Sequence, residues 1–336
     1  MTDRLNIAVL GAGYWGPNLI RNVAENASAR LHTICDIDEI RLNAIAQQYA
    51  PLRHTTDFAA VFSDEGIDGI IIATPAHTHF DLAKQALLAD KHVMVEKPLA
   101  LRAEDAQELI DLAKQRERIL MVGHVFLYNT AVQKLHDLIL NNELGKIYYI
   151  YSIRVNLGQI RDDHNAFWNL APHDISIINK LLGDVPQRVT AHGFSYLQSL
   201  EDVTFAILEY ANGVAAHVHV SWLDPNKIRR MTVVGEKKMV VYDDVSENRI
   251  TVFDKGAAWV EDSDSYGVHR LQTFTGDIHI PKIKAVEPLR AEVDHFLDCI
   301  RTGQKPISDG EEGLGVIRVL EAVSESLRRG GQSVDL

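Results

Sequence analysis

The residue types and spacings best suited to chemistry begin with Gly11-Ala12-Gly13-Tyr14-Trp15-Gly16, entered directly from the apolar run Ile7-Ala8-Val9-Leu10. A second apolar run, Leu31-His32-Thr33-Ile34-Cys35, ends on Asp36, twenty residues beyond Gly16. Strand, glycine turn, helix, strand and acid in this order are the parts of a dinucleotide site. Gly11 permits the tight turn, Gly13 lets the backbone approach a pyrophosphate, and Gly16 lets the helix pack close to the strand. The helix N-terminus presents unpaired N–H groups to the phosphates, with Tyr14 and Trp15 in the same loop. A carboxylate at Asp36 accepts from a ribose 2′-hydroxyl and repels a 2′-phosphate. Neither Ile37 nor Asp38 offers the cation that NADP needs, although Arg41 is close, so the pattern points to NAD.

Glu96-Lys97-Pro98 follows the apolar run 92–95 and places an ammonium at the carboxyl edge of a parallel strand, where doubly wound domains bind ligands. Read alone, a Glu/Lys pair before a helix-starting proline also suits a solvated turn. The bond before Pro98 is a candidate for the cis form. Thr74-Pro75-Ala76-His77-Thr78-His79 ends the preceding strand on the same rim. Two histidines two residues apart, with no carboxylate or cysteine array, do not make a metal site. His77 and His79 are expected to line the cofactor crevice or cap the next helix, and no metal is expected.

Asn169 and His173 lie four apart, on one face of a helix that starts near residue 169 and carries Pro172 in its first turn. Asn169 is a natural N-cap. His173 is either a hydrogen-bonded histidine at a domain seam or a general base, since a neutral imidazole suits that role near neutral pH. Asp174 either orients it or merely sits well in the first turn. On the strand 147–156, Ile147, Tyr149, Tyr151, Ile153 and Val155 read as the core face. Ser152, Arg154 and Asn156 read as a wet or ligand-facing row, which a solvated face explains nearly as well. His217, His219 and Ser221 form a similar row, and Arg229 and Arg230 could meet a diphosphate or serve an exposed edge.

The elements that must position these groups are legible from pattern. With 336 residues, two domains are the natural expectation. Up to residue 124, short apolar runs alternate with helical stretches, which predicts an α/β Rossmann domain with a doubly wound parallel sheet over 1–124. From 125 to 336 the rhythm becomes two-residue alternation, with Asn212-Gly213 a strong hairpin signal. This predicts an α+β domain built on a large, mostly antiparallel sheet for substrate binding and oligomerisation. The helices from Pro288 onward are expected to pack back across the structure. A sheet with one covered face leaves the other to a ligand or a partner subunit, so a homodimer or homotetramer is expected. A composition of 46% hydrophobic and 24% charged residues is that of a globular protein, and a formal charge of −12 argues against nucleic acid and anionic membranes as partners. No apolar run is long enough to span a membrane and the first strand begins early, so a cytoplasmic location is expected. Cys35 and Cys299 make no metal or redox motif.

With GAGYWG, EKP and the downstream helix bearing His173, the chain resembles the Gfo/Idh/MocA oxidoreductases over nearly its full length. The resemblance implies that Lys97 and His173 flank the hydroxyl being oxidised. Many family members carry an aspartate four residues before the histidine. Here that position is Asn169, so His173 would act with Lys97 or through water. The stretches GHVFLYN, YSIRVNLGQIRDD, APHDIS and HVSWLDP are most similar to the nucleotide-sugar branch. That likeness implies an NAD-dependent oxidation of a secondary alcohol, at C3 of a UDP-linked N-acetyl sugar. Within this reading Gly11, Gly13, Tyr14, Trp15, Gly16, Asp36, Thr74, Pro75, His77, His79, Glu96 and Lys97 serve the cofactor. Lys97, Arg154, Asn156, Asn169 and His173 serve the substrate. A 3-ketoreductase of deoxysugar nucleotides, an inositol or polyol dehydrogenase, and an NAD-holding sensor without turnover are the alternatives.

Overall fold

The computed structural model describes residues 4–158, 160–261 and 269–336; Gln159, inside one of the branch-like stretches, lies outside them. Strands β1 (Leu5–Leu10), β2 (Ala29–Cys35), β3 (Arg53–Thr55), β4 (Gly69–Ile72), β5 (His92–Glu96) and β6 (Leu120–Gly123) form a parallel sheet in the order β3-β2-β1-β4-β5-β6. This is the doubly wound order, and its strand direction of growth reverses between β1 and β4, where such folds open their ligand crevice. The strands are continuous apolar runs because both faces are covered: Ile7, Val9, Ile70, Ile71, Val93 and Val95 are fully buried. Helices α1 (Gly16–Ala24), α2 (Glu39–Tyr49), α3 (Phe58–Phe62), α4 (His79–Leu88) and α5 (Ala103–Gln115) connect them. Leu82, Ala83 and Leu87 of α4 and Leu109 and Ile110 of α5 join Val93 and Val95 in one core.

The remaining elements are α6 (Thr130–Leu140), β7 (Ile147–Val155), α7 (Ala166–Leu182), β8 (Arg188–Phe194), β9 (Val203–Glu209), β10 (Ala215–Ser221), β11 (Ile228–Gly235), β12 (Met239–Asp243), β13 (Ile250–Glu261), β14 (His269–His279), α8 (Pro288–Thr302), α9 (Gly310–Arg328) and β15 (Val334–Asp335). Nine of the described strands form the second sheet, ordered β14-β13-β12-β11-β7-β10-β9-β8-β15. Its pairings are antiparallel except β7 with β10. The Asn212-Gly213 turn joins β9 to β10 with Gly213 at φ +80°, as the hairpin signal requires.

The compact units differ from a single break after residue 124. The first holds residues up to Tyr128 together with 286–318; the second holds 129–285 and 319–336. Within the first unit α8 supplies cover that the local pattern does not show. A Cβ at Gly69 would stand 3.1 Å from Ile300 Cδ1 and 3.4 Å from Phe296 Cε1. Asn26 Nδ2 donates to Asp294 at 2.6 Å, and Asn22 Nδ2 to Glu287 at 3.2 Å. Among the described residues no helix is long and apolar enough to cross a membrane.

Two local expectations need correction. On β7 the covered face is the one carrying Ile150, Ser152 and Arg154, not the one carrying Tyr149, Tyr151 and Ile153. The cause is α7, whose Asp174 accepts from Ser152 Oγ at 2.7 Å and from Arg154 through Nε and through Nη2 at 3.3 Å, so the polar row is internal. Helix α7 also begins earlier than expected. Asn165, not Asn169, is its N-cap, accepting from Trp168 N at 3.0 Å, and Pro172 is inside the helix rather than in its first turn.

Candidate functional site

The glycine loop has the geometry its residues require. Gly11 adopts φ +95°, and a Cβ there would lie 2.6 Å from the Ala73 carbonyl oxygen. At Gly16 a Cβ would lie 2.0 Å from the Gly11 carbonyl oxygen, so only glycine lets α1 start against this turn. Asp36 is fixed at the end of β2, 5% exposed. Its Oδ2 accepts from Ala12 N at 2.6 Å and its Oδ1 from Asp38 N at 2.9 Å. Arg41 is engaged by acids, 3.8 Å from Asp36 and 3.3 Å from Asp38. Tyr14 projects outward, 94% exposed, whereas the Trp15 indole N–H donates to Glu96 Oε1 at 2.6 Å. That bond ties the glycine loop to the end of β5.

At that end the Lys97–Pro98 bond is cis, and Glu96 Oε2 accepts from Lys97 N at 3.3 Å. Burial pushes the Glu96 carboxyl up to about 7, against the pull of the Lys97 charge, the Trp15 bond and His124. His79 is brought to the rim but does not line it. Its ring is buried, with Nδ1 2.7 Å from Pro98 O and Nε2 2.8 Å from Thr74 O, so it clamps the loop after β4 to the loop after β5. Burial lowers its pKa, opposed by those two carbonyls and reinforced by the Lys97 and His77 charges. His77 is exposed, so the two rings diverge. Thr74 and Thr78 share a hydroxyl–hydroxyl bond of 2.7 Å, and Thr78 Oγ1 donates to Pro75 O at 2.8 Å. Among the described residues no cluster of three or more His, Cys, Asp or Glu side chains could hold a metal ion.

Three acid–base residues of this unit were not found by motif. His124, buried just after β6, bonds through Nδ1 to Glu312 Oε2. Glu292 lies fully buried on α8. Its signal was present: it occupies the apolar stripe of Leu289, Val293 and Phe296, where a carboxylate is out of place.

In the second unit Asn169 and His173 are four apart on α7. Trp222 Nε1 donates to Asn169 Oδ1 at 3.3 Å, and Asn169 Nδ2 lies 3.4 Å from His164 Nε2. Asp174 is committed to Arg154 rather than to the His173 ring. Burial works against the Arg154 cation, but Asp174 beside it raises the pKa. Asn156 N donates to Ser221 O at 3.2 Å, just beyond β7. Arg229 pairs with Asp244 at 3.4 Å and Arg230 with Asp243 at 2.9 Å.

A parallel doubly wound domain with a glycine loop and a fixed acid, followed by a domain on a large mixed sheet, defines a dinucleotide-binding enzyme class. Residues 5–124 match the model of an oxidoreductase family with NAD-binding Rossmann fold, and residues 136–336 match that family's C-terminal alpha/beta domain. The chain belongs to the Gfo/Idh/MocA oxidoreductase family, and its cofactor is NAD. The scyllo-inositol 2-dehydrogenase (NAD(+)) of Bacillus subtilis is 26% identical over 347 residues, spanning 98% of this chain and 96% of its own. The UDP-N-acetylglucosamine 3-dehydrogenase of Acidithiobacillus ferrooxidans is 27% identical over 268 residues, spanning 78% and 81%. Among solved structures, GenD2 from gentamicin A biosynthesis in complex with NAD superposes with a TM-score of 0.83 at 23% identity, covering 100% of this chain and 97% of its own.

Proposed function

We propose that the chain is an NAD-dependent dehydrogenase oxidising a secondary hydroxyl, at C3 of a UDP-linked N-acetylated hexose, to a 3-keto nucleotide sugar. The observation that supports the dehydrogenase reading is the Trp15–Glu96 bond, which ties the glycine loop to the end of β5, one residue before Lys97. NAD supplies the hydride acceptor. Gly11, Gly13 and Gly16 would cradle its phosphates and Asp36 its adenosine ribose. The Lys97 ammonium stabilises the developing alkoxide, a task suited to a fixed charge. His173 takes the hydroxyl proton, with Asn169 as a neutral hydrogen-bonding neighbour on the same helix face.

The nucleotide-sugar substrate is supported by the 27% identical relative and by the stretches around 123–129 and 151–163. An inositol dehydrogenase is the second reading, favoured by a relative that aligns over nearly the whole chain. The open face of the second sheet supports a homodimer or homotetramer. Phe194, Phe205, Ile207 and Tyr149 are exposed there, and Phe205 stacks on His219 at 4.4 Å. The cytoplasm is the proposed site of action.

Following NADH formation with UDP-sugars, free inositols and polyols tests the substrate. We expect turnover on a UDP-N-acetyl sugar; turnover on inositol alone selects the second reading, and bound NAD with no turnover on any of them selects the sensor. Asp36→Ala is expected to narrow the preference for NAD over NADP by about tenfold or more, the worth of one charge-assisted bond. Equal affinity of the unaltered protein for both cofactors would overturn the role of Asp36.

A further inference from the structure

A second histidine meets α7 at its start. His164 Nδ1 lies 2.9 Å from Asp163 Oδ1, and its Nε2 lies 3.4 Å from Asn169 Nδ2 in the first turn of the helix. The Asn169 oxygen accepts the Trp222 indole N–H at 3.3 Å. Trp222 is 1% exposed and its backbone N donates to Asp202 O at 3.0 Å, so the indole is a fixed reference for the amide. An indole N–H only donates, so the carboxamide turns its oxygen to Trp222 and its amino group to the ring. The ring nitrogen it meets must then be a bare acceptor, which leaves the imidazole proton on Nδ1, toward Asp163. One arrangement of protons satisfies Asp163, His164, Asn169 and Trp222 together, and it requires a neutral ring and an amide. A carboxylate at 169 would set its oxygens against the bare Nε2. The pull of Asp163 on the ring is shared, because Arg161 takes both its oxygens, at 2.9 and 3.0 Å. Those bonds hold the Asp163 carboxyl down at about 2, against partial burial and with help from the His164 and Arg161 charges. The other charged or titratable groups around the ring are Asp162, next in the chain, Glu201, which accepts from Asn165 Nδ2 at 2.8 Å, and His173 on the next turn. The His164 side chain is 25% exposed, so it exchanges its proton with water.

We propose that His164 is a positioning residue for the reaction at His173, acting through Asn169. While neutral, it fixes the Asn169 carboxamide on the helix face that also carries His173. Once protonated on Nε2, it turns a second donor toward the amide N–H, and the carboxamide must rotate away from Trp222 or lose a bond. The alcohol site is therefore assembled only when both histidines are neutral. His173 is then ready to take the proton, and His164 holds the amide that orients the alcohol. The inference rests on the proposed function in one respect, that His173 is the base beside the substrate hydroxyl.

The test has two arms, both on the full chain. In the first, isotope-labelled histidine and tryptophan side chains are followed by NMR between about pH 5 and 8.5, the range in which imidazole titrates. The His164 signals, identified by their loss in His164→Gln, are expected to show a neutral ring with its proton on Nδ1 at the upper end. The Trp222 indole signal is expected to shift where His164 titrates. That shift is expected to vanish in His164→Gln, whose amide oxygen accepts without titrating. A neutral ring protonated on Nε2, or an indole signal that ignores His164, overturns the proposal. In the second arm, turnover is measured on the accepted member of the UDP-sugar and inositol panel. Below both imidazole pKa values it is expected to fall about a hundredfold per pH unit, two protons being taken up, and about tenfold in His164→Gln. His164→Leu, which offers no acceptor, is expected to lose about tenfold at about pH 8, most of it recovered in His164→Gln. An acidic limb equally steep in the unaltered protein and in His164→Gln overturns the positioning role. If no member of the panel is turned over, the dehydrogenase reading has failed and the catalytic role falls with it, while the spectra still decide the bonds.

Discussion

Lys97→Met leaves NAD bound and lowers turnover by about 10²–10³-fold, the usual worth of one preorganised group that stabilises a developing oxyanion. Methionine keeps an unbranched stem of similar reach and removes the charge. Cofactor affinity survives because the glycine loop and Asp36, whose bonds are independent of Lys97, carry it. The substitution has a second signature. The Lys97 charge is the largest influence offsetting burial at Glu96, so its removal lets that carboxyl keep its proton to higher pH. Steady-state kinetics beside NAD titration separates the outcomes: equal loss of affinity and turnover would show that Lys97 holds the cofactor rather than the reacting oxygen.

His173→Ala lowers turnover by about 10²–10⁴-fold, the range expected for loss of a general base. The remaining activity becomes less dependent on pH where imidazole titrates. A base works when neutral, so activity rises with pH through its pKa. Asn169→Asp places a carboxylate one helical turn from the ring, which favours the imidazolium and moves that acidic limb to higher pH. Near-normal turnover of His173→Ala with an unchanged profile would place the base elsewhere.

The first sheet was legible because its signals are local. Apolar runs such as 70–72 and 93–95 are buried on both faces, and the glycine loop shows itself by spacing alone, although the neighbour that requires Gly11, Ala73, lies on another strand. The second unit was legible in rhythm but not in facing. Alternation along 147–155 fixes two faces without saying which one a helix covers. Arg154 made its face look wet, because its neutralising Asp174 comes from an element twenty residues away. The start of α7 was misplaced for a related reason. Asn165 and Asn169 are both good caps by type, and the interior proline favoured the later one. His79 showed its chemistry in sequence but not its use, since the carbonyl of Pro98 that it reaches is nineteen residues on. Glu292 was legible only as an anomaly in an apolar stripe. What it faces depends on a helix returning from the far end of the chain.

That return has a consequence for how the polypeptide is made. The nascent chain emerges from its amino end, and domains generally acquire structure as units in that order. Here the nucleotide-binding unit is interrupted: two of its covering elements, α8 and the first half of α9, are synthesised only after strands β7 to β14 of the second sheet. Until residue 302 has left the ribosome, the flank of β4 at Gly69 lacks Phe296 and Ile300. A stop codon anywhere between 129 and 285 therefore releases a nucleotide-binding unit with one apolar flank bare, a substrate for chaperones and proteases rather than a working half-enzyme.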